Sequence, residues 1–263
     1  MTRPADSFID LNADVGELPE RLTDGREAAL IRVLSSANIA CGGHAGDLDS
    51  MRAVVALCRD AQVAVGAHPS YPDREHFGRR RLDIQPSALA AALHQQVQAL
   101  SQVAREQGLR LSHIKPHGAL YHAAADDPQI AGVLVQVVRD LGDSPWVVGR
   151  AGSRGLDVYR QAGLLVLEEG FADRRYASAG TLLDRSIRGA VLHDVQDVVA
   201  QALGLALRGQ VQGGDGQAIV FLRPIDTLCL HSDTAGAEQL GAQLREALEQ
   251  AGIEIAAPAL RRR

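Results

Sequence analysis

Short runs of β-branched and apolar residues alternate along this chain with longer stretches of helical periodicity. The candidate strands are FIDLN (8–12), ANIAC (37–41), VAVGA (63–67), LSHIK (111–115), PWVVG (145–149), LLVLEE (164–169) and TLCLH (227–231). Between them apolar residues recur at helical spacing. MRAVVALCRD follows the second strand, PSALAAALHQQVQALSQVAREQG the third, and DPQIAGVLVQVVRDLG the fourth; DVQDVVAQALGLALRG and TAGAEQLGAQLREALEQAG come late. Pro86 stands in the first turn of its helix, where its missing N–H costs nothing. Regular β-α alternation predicts parallel strands joined by crossover helices. About seven such units without a Pro/Gly/Ser-rich linker predict a single α/β domain over 1–263, a TIM-like β/α barrel that is closed or nearly so. The segment 209–224, GQVQGGDGQAIVFLRP, breaks the rhythm and reads as a loop or small hairpin outside the repeat.

The first strand carries a second pattern. In 9-IDLNAD-14, Ile9, Leu11 and Ala13 alternate with Asp10, Asn12 and Asp14, so the polar groups share one face. A parallel barrel strand is normally apolar on both faces, which predicts that these groups point into the barrel or its mouth rather than off an exposed edge. Later strands also run into polar turns. They offer His44 and Asp47, then His68, then Lys115 and His117, then Glu169, Asp173, Arg174 and Tyr176, and finally His231 and Asp233. Active sites of β/α barrels form at the C-terminal strand ends, so this series predicts one functional site.

Composition narrows the choice. The chain has 263 residues, is 46% hydrophobic and only 3% aromatic, so Ala, Val and Leu must fill its core. A formal net charge of -5 argues against a nucleic-acid binder. Cys41, Cys58 and Cys229 show no CxxC spacing, which suits a reducing cytoplasm. The opening MTRPADSFIDLNADVGE has no apolar core of a signal peptide, no run is long enough for a membrane span, and the final Arg-Arg-Arg reads as a solvated tail. Lys115 is the only lysine; every other member of the 27 Lys+Arg is arginine. Codon bias accounts for the excess of arginine, but a lysine kept beside two histidines points to a need for a compact ammonium.

Two chemistries fit these residues. In metal-assisted hydrolysis, Asp14, His44 and His68 would bind zinc or another divalent ion. In metal-free acid-base catalysis, Asp14 or a histidine would activate water and Lys115 would hold an oxyanion. In either, Arg79, Arg80 and Arg174 could clamp a carboxylate or phosphate. GxxxxGK[ST], GxGxxG after the first strand and GxSxG are all absent. Cys41 could be a nucleophile but reads better as a small buried thiol.

The blocks IDLNADVGE, SSANIACGGHAGD, VGAHPSYPDREHFGRR, IKPHGALYH, GFADRRY and AVLHD resemble, in order and spacing, those of the LamB/YcsF family of 5-oxoprolinase A subunits. The resemblance implies a glycoside hydrolase/deacetylase type of barrel. It implies ATP-dependent cleavage of 5-oxo-L-proline to L-glutamate together with partner subunits B and C, and the missing phosphate cradle in this chain suggests that ATP is bound mainly by the partners. It also suggests roles. Asp14 or His44 would be the base, with Asp47 orienting the histidine. Lys115 and His117 would stabilise the oxyanion or protonate the ring nitrogen. Arg79, Arg80 and Arg174 would hold anionic groups. Asn12 and Asn38 would support them or bond substrate, and His68 and Glu169 would face the substrate. Three positions depart from the family pattern. Ala13 replaces a frequent Cys, Gly43 a frequent Phe, which would enlarge or loosen the loop before His44, and HSDTAG replaces HGDNPG, which weakens the case for His231 and Asp233. A metal-dependent deacetylase on the same barrel and a non-catalytic scaffold are the alternatives, and a homodimer is compatible with the many small residues.

Overall fold

The computed structural model of the protein describes residues 8–177, 180–234 and 236–258. The arginine tail 261–263 and residues 1–7 lie outside the described residues.

The strands in chain order are β1 (Phe8–Val15), β2 (Ser36–Ala40), β3 (Ala64–His68), β4 (His113–Ile114), β5 (Trp146–Arg150), β6 (Val166–Phe171), β7 (Gln210–Gln212), β8 (Ala218–Val220), β9 (Thr227–Leu230) and β10 (Glu254–Ile255). β1 to β6 pair in sequence, all parallel, and β9 pairs with both β6 and β1, closing a seven-stranded barrel. β10 adds only to the start of β1, beside Phe8 and Ile9. β7 and β8 form an antiparallel hairpin outside the ring. β4 is shorter than the apolar run around it because Pro116 lacks an N–H, although Lys115 N still bonds Ala67 O at 2.9 Å.

The helices are α1 (Pro19–Thr23), α2 (Arg26–Ile31), α3 (Leu48–Asp60), α4 (Pro86–Glu106), α5 (Gly118–Asp126), α6 (Pro128–Leu141), α7 (Arg154–Gln161), α8 (Val195–Arg208) and α9 (Ala237–Gln250). Asp47 caps α3, Asp127 caps α6 and Asp194 caps α8, each accepting a bond from an amide of the first turn. The apolar stripes of α3, α4 and α6 bury Val54, Val55, Leu93, Val97, Leu134 and Val138 against the outside of the barrel. Among the described residues no helix is long and apolar enough to cross a membrane.

β1 shows how the sequence sorts its two faces. Ile9, Leu11, Ala13 and Val15 are wholly buried toward the helices, while Asp10 and Asn12 are buried inside the ring. Burying these groups is tolerable because their bonds are satisfied. Asp10 accepts from Ser35, Ser36 and Thr227 hydroxyls, and Asn12 donates to Thr227 Oγ1 at 2.6 Å and Glu169 Oε1 at 3.2 Å. Burial, the largest influence, pushes the Asp10 pKa up despite those hydroxyls. Register continues the network, since Asn12 pairs with Ser36 and Cys229, and Asp14 with Asn38.

Candidate active site

The C-terminal strand ends open into a cleft of about 810 Å³. Asp14, Glu17, His68, Lys115, His117 and Phe171 line it, as do Arg79, Arg81, Arg150, Arg174 and Arg185.

Lys115 Nζ lies 3.0 Å from Asp14 Oδ1, 2.9 Å from Glu169 Oε1, 3.3 Å from Asn12 Oδ1 and 3.1 Å from Cys229 Sγ. Burial alone would drive its proton off, but Asp14 and the other acceptors outweigh it and hold the pKa well above the ordinary lysine value. Asp14 is likewise opposed by burial, yet His68 and Lys115 hold its pKa well below the carboxylate range. Asn38 steadies the arrangement by donating to Asn12 Oδ1 at 2.7 Å and Asp14 Oδ1 at 2.9 Å. Behind it, His113 Nε2 bonds Asn38 Oδ1 at 2.7 Å. The result is a fixed ion pair, with Asp14 ionised at neutral pH and turned to the cleft.

The second cluster stands beside the first. The donor atoms of Glu17, His44, His68 and His117 all lie within 4.8 Å of one another. His44 Nε2 is 2.8 Å from Glu17 Oε1, and His117 Nδ1 is 3.2 Å from the same oxygen and 3.0 Å from His68 Nε2. The His44 and His117 rings stack at 3.6 Å with Phe77 edge-on to both. Phe77 has a φ of 54°, uncommon for an aromatic residue, and this turn aims its carbonyl at His117 Nε2, 3.0 Å away. Burial lowers the His44 pKa to about 4, so its ring is neutral.

At the mouth, Asp233 Oδ2 accepts from Arg185 at 2.7 Å and Arg79 at 3.1 Å. Arg174 is buried, donates to Leu183 O, and its Nε has no partner. His231 is fixed at the wall by Asp173, which accepts from its backbone N at 2.9 Å and stands 2.8 Å from its Nδ1.

Several expectations change. Asp47 orients no histidine: it is an exposed N-cap bonded to Ser50, as its position before an apolar helical run requires. Arg80 does not line the cleft; it points outward, 3.7 Å from Asp73. His44 lies behind the cleft wall rather than on it, which removes it as a base for cleft water. Lys115 has carboxylates for partners rather than His117, and is a fixed cation rather than a proton exchanger. Asn12, Asn38 and Glu169 are wholly buried supports rather than substrate contacts. Asp14 stands outside the group formed by His44 and His68 with Glu17 and His117. Glu17 was missed because strand alternation ends before it, although it closes the block IDLNADVGE. Arg150 and Arg185 carried no local signal and reach the cleft through chain closure, whereas Arg81 follows the pair Arg79–Arg80 and Tyr121 lies in the block IKPHGALYH, though neither was singled out. Cys41 is a buried thiol with its pKa raised to about 12 by burial, unsuited to be a nucleophile.

Residues 9–262 match the LamB/YcsF family. The chain belongs to that family. It is 45% identical over 249 residues to the 5-oxoprolinase A subunit of Methylococcus capsulatus, covering 95% of each chain. It is 44% identical over 250 residues to the protein of that name from Chloroflexus aggregans, covering 95% of this chain and 98% of the other. Its fold is similar to that of a lactam utilization protein from Thermus thermophilus, with a TM-score of 0.85, 37% identity, and 95% and 99% of the two chains covered. Within this LamB/YcsF chain, Gly43 does not loosen its loop. A Cβ there would collide with Gln96 and the Ser70 hydroxyl, which fill the space instead. Ala13 is wholly buried on the helix-facing side of β1, away from Asn12 and Asp14.

Proposed function

We propose that this chain opens the lactam ring of 5-oxo-L-proline to give L-glutamate, acting as the A subunit of an ATP-dependent 5-oxoprolinase with partner subunits B and C. The observation that carries this reading is the Asp14–Lys115 ion pair at the floor of a cleft rimmed by arginines. The names of the 43–45% identical relatives support it.

A five-membered lactam keeps its amide resonance and little strain, so the ring carbon is a poor electrophile until its oxygen is phosphorylated. The chain has no GxxxxGK[ST] phosphate cradle, which favours phosphoryl transfer from ATP on a partner chain and hydrolysis here. The arginine rim suits the two anionic groups of the phosphorylated substrate, its carboxylate and its phosphate.

Water adds to the ring carbon and Asp14 takes the released proton. Lys115, held against Asp14, stabilises the negative charge that forms on the water-derived oxygen as the intermediate collapses. The carbon–nitrogen bond then breaks, the proton passes from Asp14 to nitrogen, and the amine is freed. A second water hydrolyses the acyl phosphate. The sum is one 5-oxoproline, one ATP and two waters giving glutamate, ADP and phosphate.

The test is glutamate release from 5-oxoproline and ATP, by this chain alone and with subunits B and C. Release only in the full mixture is expected. No release from a mixture whose B and C subunits work with the A subunit of another species would overturn the assignment.

A further inference from the structure

The bonding around His68 and His117 leaves two bare nitrogens facing each other. His68 Nδ1 is 2.8 Å from Lys115 O, and a carbonyl can only accept, so Nδ1 holds a proton, and in the neutral ring Nε2 carries a lone pair. His117 Nε2 is 3.0 Å from Phe77 O, so by the same reasoning its Nδ1 carries a lone pair. These two lone pairs are 3.0 Å apart. Further acceptors stand around them: Glu17 Oε1, which also takes the His44 Nε2–H, is 3.2 Å from His117 Nδ1 and 3.9 Å from His68 Nε2, and Asp14 Oδ2 is 3.3 Å from His68 Nε2. Such a gathering repels itself unless a positive charge sits within it.

We propose that Glu17, His68 and His117 bind one divalent transition-metal ion of the zinc class, with open positions toward the cleft. Metal bonds of ~2.0–2.1 Å place neighbouring ligand atoms roughly 3–3.5 Å apart, close to the spacing found here. Two imidazoles and a carboxylate form a donor set suited to zinc, cobalt or iron(II). All three ligands line the cleft, and His44 does not. His44 has a different part. Its Nε2–H donates to Glu17 Oε1, while its Nδ1 is buried without a partner, so it orients the carboxylate. The Lys115 and Phe77 carbonyls orient the two imidazoles in the same way. This set differs from the Asp14, His44 and His68 set suggested by the strand ends. An ion there would lie beside the Asp14 carboxylate and lower the pKa of a water bound at the cleft, which deepens the hydrolytic reading and rests on it only for that consequence.

The test needs neither substrate, ATP nor partners. Tag-free chain is stripped with chelator, then titrated with Zn2+ by calorimetry and with Co2+ by visible absorption. One ion per chain and a Co2+ d–d spectrum are expected. Glu17→Gln and His117→Ala should each weaken Co2+ binding at least ~10-fold, while Asp47→Ala, outside the site, leaves it unchanged. Each variant's fold is checked by circular dichroism. The alternative is a single proton shared between His68 and His117. Wild-type chain that takes up neither ion, or binds both equally well as His117→Ala, would establish that alternative and overturn the metal site. Either result leaves the glutamate-release assay to judge the lactam reading separately.

Discussion

The Lys115 ammonium lies 3.0 Å from the Asp14 carboxylate at the cleft floor, and Glu169 holds it from behind at 2.9 Å. The space is sized for an ammonium. A guanidinium keeps the charge but cannot enter among Asn12, Asp14, Glu169 and Cys229 without displacing one of them. Lys115→Arg should cut turnover by at least ~10-fold, about 1.4 kcal/mol of transition-state stabilisation. Lys115→Met should also destabilise the fold, by ~3–5 kcal/mol, because it leaves buried carboxylates unpaired. Steady-state rates and urea unfolding check the two. Full activity of Lys115→Arg would return this lysine to chance survival.

His113 links ring interior to pH. Burial, helped by Lys115 and His68, lowers its pKa to about 3 from 6.5. Asn38 and the Ser112 hydroxyl bond its two nitrogens, and Asp14 is the charge that opposes the shift. The unfolded chain takes up this proton below pH 6.5, whereas the folded chain resists until about 3. The stabilisation is therefore full above 6.5 and is lost progressively as pH falls toward 3, with a slope of at most ~1.4 kcal/mol per pH unit. Urea midpoints at pH 7.5, 6.5 and 5.5 should fall less steeply for His113→Gln than for the wild type. Equal slopes would refute the assignment.

Gly43 sits where a side chain has no room. Gln96 and Ser70 hold each other by paired bonds of 3.0 Å, Ser70 N to Gln96 Oε1 and Gln96 Nε2 to Ser70 O, across the space a Cβ would take. Gly43→Ala should cost ~1–3 kcal/mol of stability by overpacking. Thermal melting reads it, and an unchanged melting temperature would show that the loop yields freely.

Arg185 stands at the cleft mouth, apart from the ion pair at its floor. It lines the cleft mouth on Asp233 and touches neither Lys115 nor Asp14. Arg185→Ala should raise KM for the anionic substrate ~10-fold and leave kcat within about twofold, the signature of lost uniform binding. A fall in kcat with KM unchanged would assign it to the transition state instead.

The barrel was legible because period-2 and period-3.6 patterns alternate with clear breaks. The polar face of β1 was legible too, since Asp10, Asn12 and Asp14 interrupt an otherwise apolar strand. Strand ends shifted by one to three residues, as hydrogen bonding rather than hydropathy sets them. α5 went unread because the Pro-His-Gly turn masks the start of its alanine-rich helix, Gly118–Asp126. The roles within the site were harder to read. Asp47 and His44 share a loop, but one caps a helix and the other stacks on His117, a division made by helix geometry. The arginines of the rim come from three places, Arg79 and Arg81 from the loop after β3, Arg150 from the end of β5, and Arg174 and Arg185 from the loop after β6, and only ring closure brings them to one mouth.

The central claim is that Asp14 carries the proton while Lys115 carries the charge. The most direct measurement is the initial rate of glutamate formation by the complex of this chain with subunits B and C, carrying Asp14→Asn, beside the wild type. The amide keeps the shape and a hydrogen-bonding oxygen for Lys115 but cannot accept the water proton. The account expects a loss of at least ~100-fold, about 2.7 kcal/mol, in a variant that still folds and assembles. A rate within about twofold of the wild type would contradict it, and would move proton transfer away from Asp14.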